Sequence, residues 1–214
     1  MSTARIYLYK RYERFWHWSQ AFLVIVMMIS GFEVHGSYAL MGFQKAVQIH
    51  TVAAWTLLVL WAFTIFWQFT TDEWRQYLPS LKNVVAMVRY YTIGIFTHSP
   101  HPFRKTVVQK HNPLQRLAYL ALLAFISPLI WGSGLLYLFY GNWAAIGIDK
   151  YLSLEFVALA HTAGAFMIAA FFFIHVYLTT TGHTVFAHIH AMITGWEEDT
   201  DAHETTAKQQ AADK

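Results

Sequence analysis

The chain has 214 residues, enough for one domain, with 56% apolar and 13% charged residues and a formal net charge of +3. That balance excludes an ordinary soluble domain, where about a quarter of residues are charged, and no nucleic-acid partner is expected. With no cysteine present, disulfides, thiolate-held iron–sulfur clusters and covalently attached haem are excluded as well.

The chain opens on a basic arm, with Arg5, Lys10, Arg11 and Arg14 ahead of a long apolar run. This run is expected to be an uncleaved first membrane span over about 15–33, because no short cleavable core with a small-residue site is present. Three more runs reach the roughly 20 apolar residues that a span needs: about 47–69, 117–140 and 156–179. Lipid offers no partner for backbone N–H and C=O groups, so helices are the expected spanning form. Pro128 should kink the third. Segment 70–116 is too long for a simple connector, and its middle, LKNVVAMVRYYTIGIF (81–96), reads as a helix lying in the cytoplasmic membrane interface. HSPHPFRK (98–105) reads as a rigid turn. The acidic tail, 197–214, should be soluble and poorly ordered beyond about residue 200, leaving 1–196 as the membrane domain. No internal repeat is evident.

The basic arm and the 70–116 segment carry eleven Lys and Arg residues, against two in loops 34–46 and 141–155. Basic loops stay inside, so both termini are expected on the cytoplasmic side of a bacterial inner membrane.

Chemistry enters with four intramembrane histidines, His17, His50, His161 and His175, since an ionisable group in a span is costly and a functional candidate. His161 and His175 are 14 residues apart. At about 100° per residue that is 40° short of four turns, so they share a face and stand about 21 Å apart along the helix. Chain direction then pairs the four by depth, His17 with His175 near the cytoplasmic face and His50 with His161 near the outer face. Two imidazoles at one depth on different helices can bind one haem iron from both sides. Two such pairs would hold two stacked b haems and give a route across the membrane. Ala158, Ala160, Ala163, Gly164 and Ala165, with Gly31, Gly132 and Gly134, could make room for the porphyrins, and Arg5, Arg11, Arg14 and Arg116 could meet the propionates. The plain alternative is that each histidine only hydrogen-bonds a carbonyl of a neighbouring helix.

The other histidines, His35, His98, His101, His111, His183, His188 and His190, read mainly as surface residues. His183, in TTTGHT, is the one best placed to touch a propionate or a quinone. HNPLQRLAYL (111–120) opens the third span. Asn112 suits the N-cap and Pro113 the first turn. The functional reading makes Asn112, Gln115 and Arg116 a polar quinone pocket at the cytoplasmic surface.

RFWHW around His17, IHTVAAW around His50, HNPLQRLAY and HTAGAFMIAAFFFIHVY together resemble the di-haem cytochrome b subunits of respiratory oxidoreductases. These include the formate dehydrogenase gamma subunit and the cytochromes b of [NiFe]-hydrogenase and thiosulfate reductase. The resemblance covers about residues 5–196. It implies an all-α bundle of four transmembrane helices enclosing two stacked b haems, with His17, His50, His161 and His175 as ligands and Asn112 at a quinone site. It further implies membership of a hetero-oligomeric respiratory-chain oxidoreductase complex. Electrons would pass between a menaquinone or ubiquinone site on the cytoplasmic side and a periplasmic redox partner, either a molybdenum/iron–sulfur enzyme or a multihaem cytochrome c. No docking surface for an iron–sulfur protein is identifiable, but the outer loops carry Tyr38, Phe43, Tyr140, Trp143 and Tyr151, aromatics of the kind that interface cores use. The alternative is a stand-alone cytochrome b561-type quinone reductase that oxidises superoxide or another small donor. A colourless, histidine-using metal transporter is a third possibility.

Overall fold

A computed structural model describes residues 5–97, 99, 102–103, 106, 109–182 and 184–198. The chain runs β1 (Arg5–Tyr7), α1 (Arg11–Val34), α2 (Phe43–Thr70), a 3-10 turn (Glu73–Tyr77), α3 (Val84–Arg89), α4 (Pro113–Leu138), α5 (Trp143–Ile146), α6 (Leu154–Thr179), α7 (Ala187–Thr194) and β2 (Trp196–Glu198). Helices α1, α2, α4 and α6 are the four apolar spans, and at most 17% of any span's apolar window is buried within the protein. Side chains such as Phe22, Val52, Phe63, Phe125, Leu159 and Phe173 face outward. Water would not tolerate so much apolar surface, whereas lipid does. The protein is thus an all-α multi-pass membrane protein.

The helices fall into two compact units. In the first, α1 and α2 form an antiparallel hairpin. Its turn is fastened by Glu33, whose buried Oε1 accepts N–H bonds from Leu40 (2.9 Å), Met41 (2.7 Å) and Gly42 (2.7 Å). Gly42 is the N-cap of α2 with φ of 90°, and a carboxylate suits the positive end of a helix dipole. At the other end of this hairpin the Tyr12 hydroxyl meets Thr64 Oγ1 at 3.2 Å and the Tyr12 ring packs on Trp67. Strand β1 pairs antiparallel with β2, Arg5 opposite Glu198 and Tyr7 opposite Trp196. Helix α7 accepts bonds from α1, Arg14 Nη1 to Ile193 O (2.6 Å) and Trp18 Nε1 to Met192 O (3.2 Å). The segments before the first span and after the fourth therefore lie on one side, as an even number of crossings requires.

The second unit holds α3 to α6. Helix α3 buries Met87 and turns Val85 and Val88 outward. It continues as a π-helical turn over Tyr90–Gly94, so this helix is shorter than the 81–96 stretch. In α4 the expected effect of Pro128 takes the form of a π-turn over Leu122–Ile126. Proline lacks an N–H and crowds the carbonyl four residues back, and a widened turn relieves both. Gly164 of α6 sits so close to α4 that an added Cβ would lie 3.3 Å from Ile130 Cα. Most of HSPHPFRK, all of the tail from residue 199 and His183 lie outside the described residues.

Candidate functional site

Within the first hairpin, His17 lies near the start of α1 and His50 near the start of α2, at opposite ends because the helices are antiparallel. His161 and His175 lie in the second unit on one unbroken helix, which gives them the shared face that their 14-residue spacing requires.

The surroundings of His50 and His161 repeat each other. His50 Nδ1 lies 3.2 Å from Met27 O and 3.2 Å from Ser30 Oγ. His161 Nδ1 lies 3.1 Å from Ile130 O and 3.2 Å from Ser133 Oγ. A carbonyl oxygen can only accept, so Nδ1 carries the proton in both rings and Nε2 keeps the lone pair that binds a metal. Each serine hydroxyl gives its own proton down its helix, Ser30 to Val26 O (2.7 Å) and Ser133 to Leu129 O (2.5 Å). Toward the histidine, each hydroxyl oxygen is therefore an acceptor. The next residue is glycine in both cases. A Cβ on Gly31 would lie 3.2 Å from His50 Cε1, and one on Gly134 would lie 3.0 Å from His161 Cε1. These two glycines make room for the imidazole rings themselves, a role narrower than the porphyrin space expected of them. Gly132 meets nothing within 4 Å.

The structure thus aligns two segments as a repeat, where none is expected from the sequence. ISGF and GSGL precede HTVAA and HTAGA, with serine and histidine 20 residues apart in one hairpin and 28 in the other. The two copies part company one histidine later. Fourteen residues after His161 stands His175, but fourteen after His50 stands Thr64.

The other two histidines have different neighbours. His175 stacks on Phe171, the centroids 6.0 Å apart and the planes 5° from parallel. Phe171 touches Tyr119 at 6.3 Å, and Tyr119 meets both His111 (5.1 Å) and Tyr77 (5.8 Å). An aromatic column thus leads from the start of α4 to His175. His17 meets Trp18 edge-on at 5.3 Å. Beside it, Trp16 Nε1 and Gln20 Oε1 are buried with no hydrogen-bond partner among the described residues. Buried polar atoms are normally satisfied, so these two fit a site completed by a bound group. A b haem fits this donor set: two imidazoles with Nδ1 donating and Nε2 left for iron, a glycine against each of those rings, and unsatisfied polar groups beside His17.

Asn112, Gln115 and Arg116 are brought together at the start of α4, where each already has a structural task. Asn112 Oδ1 accepts from Gln115 N (2.8 Å) and Gln115 Oε1 accepts from Asn112 N (3.0 Å), a reciprocal capping box. Asn112 Nδ2 donates to the Tyr91 hydroxyl (3.2 Å). Burial pushes the Tyr91 phenol up, keeping it neutral. Arg116 Nε donates to His111 O (3.0 Å). Asn112 is only 4% exposed, so a quinone carbonyl would have to displace one of these bonds. Among the aromatics in or beside loops 34–46 and 141–155, Trp143 is 2% exposed and donates Nε1–H to Leu136 O (3.0 Å). It anchors its own loop, and only Phe43, Tyr38, Tyr140 and Tyr151 offer exposed ring surface.

One charged cluster escaped the sequence reading. Lys110, with its side chain 2% exposed, bonds Glu13 Oε1 at 2.7 Å and Glu73 Oε2 at 3.1 Å. Lys10 Nζ lies 2.5 Å from Glu73 Oε1, and the Lys10 backbone N–H donates to Glu13 Oε2 at 2.7 Å. Burial pushes the Glu73 carboxyl up, but hydrogen bonds from Lys10 and Lys110 outweigh it and hold the group below the usual carboxylate range. The Lys10 ammonium is raised, chiefly by its hydrogen bond to Glu73.

The family model described as Prokaryotic cytochrome b561 matches residues 8–195. A curated relative from Escherichia coli (strain K12), named "Putative cytochrome YdhU", is 32% identical over 200 residues, covering 90% of this chain and 74% of that protein. No solved structure matches.

Proposed function

The chain belongs to the prokaryotic cytochrome b561 family, a family of membrane cytochromes that bind haem b and carry electrons, and from that premise we propose that it holds two b haems between two pairs of histidines. His50 and His161 bind one and His17 and His175 the other. The observation that carries this reading is the matched environment of His50 and His161, both with Nδ1 protonated and a glycine against the ring. When bound, haem supplies a one-electron couple. The protein's part is to fix the imidazoles, exclude water from the bundle and set the height of each centre. The His17–His175 centre lies near the basic, cytoplasmic side of the inner membrane and exchanges electrons with a quinone near the start of α4. The His50–His161 centre serves a periplasmic redox partner, with residues 1–196 forming the electron-transfer domain of a hetero-oligomeric respiratory complex.

The test is haem stoichiometry and spin state in purified protein. Two low-spin, bis-histidine haems per chain are expected. One haem per chain, or a five-coordinate high-spin spectrum, sinks the four-ligand arrangement. His50→Ala and His161→Ala should remove the same spectral component, and His17→Ala and His175→Ala the other.

A second reading, equally compatible with the family description, is a stand-alone cytochrome b561 that passes electrons from a small donor such as superoxide to quinone. Mild-detergent purification separates the two: a stoichiometric redox partner supports the first, while a homogeneous chain that reduces quinone from superoxide supports the second.

A further inference from the structure

We infer that Ser30 and Ser133 are matched positioning residues that set the donor strength of His50 and His161, and hence the redox potential of the centre these histidines hold. The inference rests on the ligand assignment proposed above and concerns two residues that this assignment leaves without a role. A lone intramembrane serine would need no comment, since a helical serine commonly bonds the carbonyl four residues back. Here that bond is present in both cases and fixes the direction of the hydroxyl. With its proton given to Val26 O or Leu129 O, each oxygen presents lone pairs to the facing Nδ1–H, 3.2 Å away. Each histidine proton is thereby shared between a serine oxygen and a backbone carbonyl, Met27 O or Ile130 O.

Two acceptors on one N–H pull the proton further from the ring than one does. The imidazole gains electron density, becomes a stronger donor through Nε2, and stabilises the oxidised metal relative to the reduced one. The same side-chain oxygen, carbonyl and glycine recur around both rings, on different helices and with different chain separations. Coincidence would not produce this arrangement twice. Ser30 is fully buried, so water cannot substitute for its hydroxyl.

The experiment is a potentiometric titration of Ser30→Ala, Ser133→Ala and Ser133→Thr in the full-length, haem-loaded protein, with haem per chain and low-temperature electron paramagnetic resonance on the same samples. Each alanine variant should retain its haems and raise the midpoint potential of one component, with a matching change in that component's low-spin g values. Ser133→Thr keeps the hydroxyl and should return the potential toward that of the parent. Unchanged potentials and g values in both alanine variants, with haem retained, overturn the inference, as does a threonine variant that behaves like alanine. Loss of haem in both alanine variants also overturns it, because the hydroxyls would then be structural. A shift of the same component by both serines supports the His50–His161 pairing. Shifts of two different components support the role of the serines but break that pairing. Parent protein without haem removes the ligand assignment itself.

Discussion

Replacing Lys110 with Met tests whether the charged cluster holds the first unit together. The substitution keeps the length and apolar stem of the side chain but removes the charge from a site that is 2% exposed. Glu13 and Glu73, whose side chains are 10% and 11% exposed, each lose a partner. Breaking a buried pair from one side costs about 3–5 kcal/mol, because the remaining charge is left uncompensated. Here each carboxylate keeps one bond to Lys10, so the expected cost is at the lower end, about 3 kcal/mol. At 2–4 °C per kcal/mol for a chain of this size, Tm should fall by about 6–12 °C. Lys10→Met is the control. Its side chain is 52% exposed, and an exposed ion pair is worth about 0–1 kcal/mol. Thermal unfolding of detergent-purified protein, followed by circular dichroism, measures both. Adding Glu73→Gln to Lys110→Met should recover part of the loss. Equal Tm values for the two lysine variants, or a Lys110→Met shift under about 2 °C, would refute the reasoning from burial.

Other expectations follow from the same geometry. Since the folded Glu73 carboxyl lies below its ordinary value of 4.5, its contribution to stability is complete above that pH and is lost as pH falls through the folded value. Lys10 is raised above 10.5, so its contribution is complete below that pH and lost as pH rises through the folded value. Neither group should therefore add slope to a Tm–pH profile between these limits, and Glu73→Gln should weaken the acid limb. Gly134→Ala drives a methyl to 3.0 Å from His161 Cε1, and Gly31→Ala one to 3.2 Å from His50 Cε1. Both should lower haem content or alter the low-spin spectrum, Gly134→Ala the more strongly; an unchanged spectrum in both would argue against close ring–glycine packing. Gly195 has φ of 90°, and a Cβ there would lie 2.7 Å from Tyr7 Cε2. Gly195→Ala should therefore speed hydrogen exchange at Leu8 and Tyr9, whose N–H groups bond Gly195 O, with little effect on the amides of α2.

What could be read in advance divides along physical lines. The spans were legible because twenty apolar residues in a row have few other uses. Their ends were less so: α1 starts at Arg11 and α2 at Phe43, since a helix continues past the lipid edge wherever polar side chains reach water. The N-cap at Asn112 was legible from Asn followed by Pro, whereas the part of Gln115 in the capping box was not foreseen. The serine–glycine–histidine repeat was not, because its copies share few letters and loops of unequal length separate their parts. The Lys110 cluster was hidden for a different reason. Its partners lie 97 and 37 residues away in the chain, and no local pattern distinguishes a lysine that will be buried from one that will stay in water. The strands are three residues each, too short for any alternation to register.

The pairing of β1 with β2 also orders events in time. Tyr7 is synthesised before any of the four spans, and its partner Trp196 emerges only after all four have been made. Until then, Arg5–Tyr7 has no strand to meet and the α1–α2 hairpin must stand in the bilayer without its clasp. Closure of the two-stranded sheet, with α7 settling on Arg14 and Trp18, is thus a late step that requires the fourth span to have returned to the starting side. A chain with one span misinserted would carry the two strands on opposite faces of the membrane and could never close it. The clasp can therefore form only in a chain whose paired segments have reached the same face of the membrane.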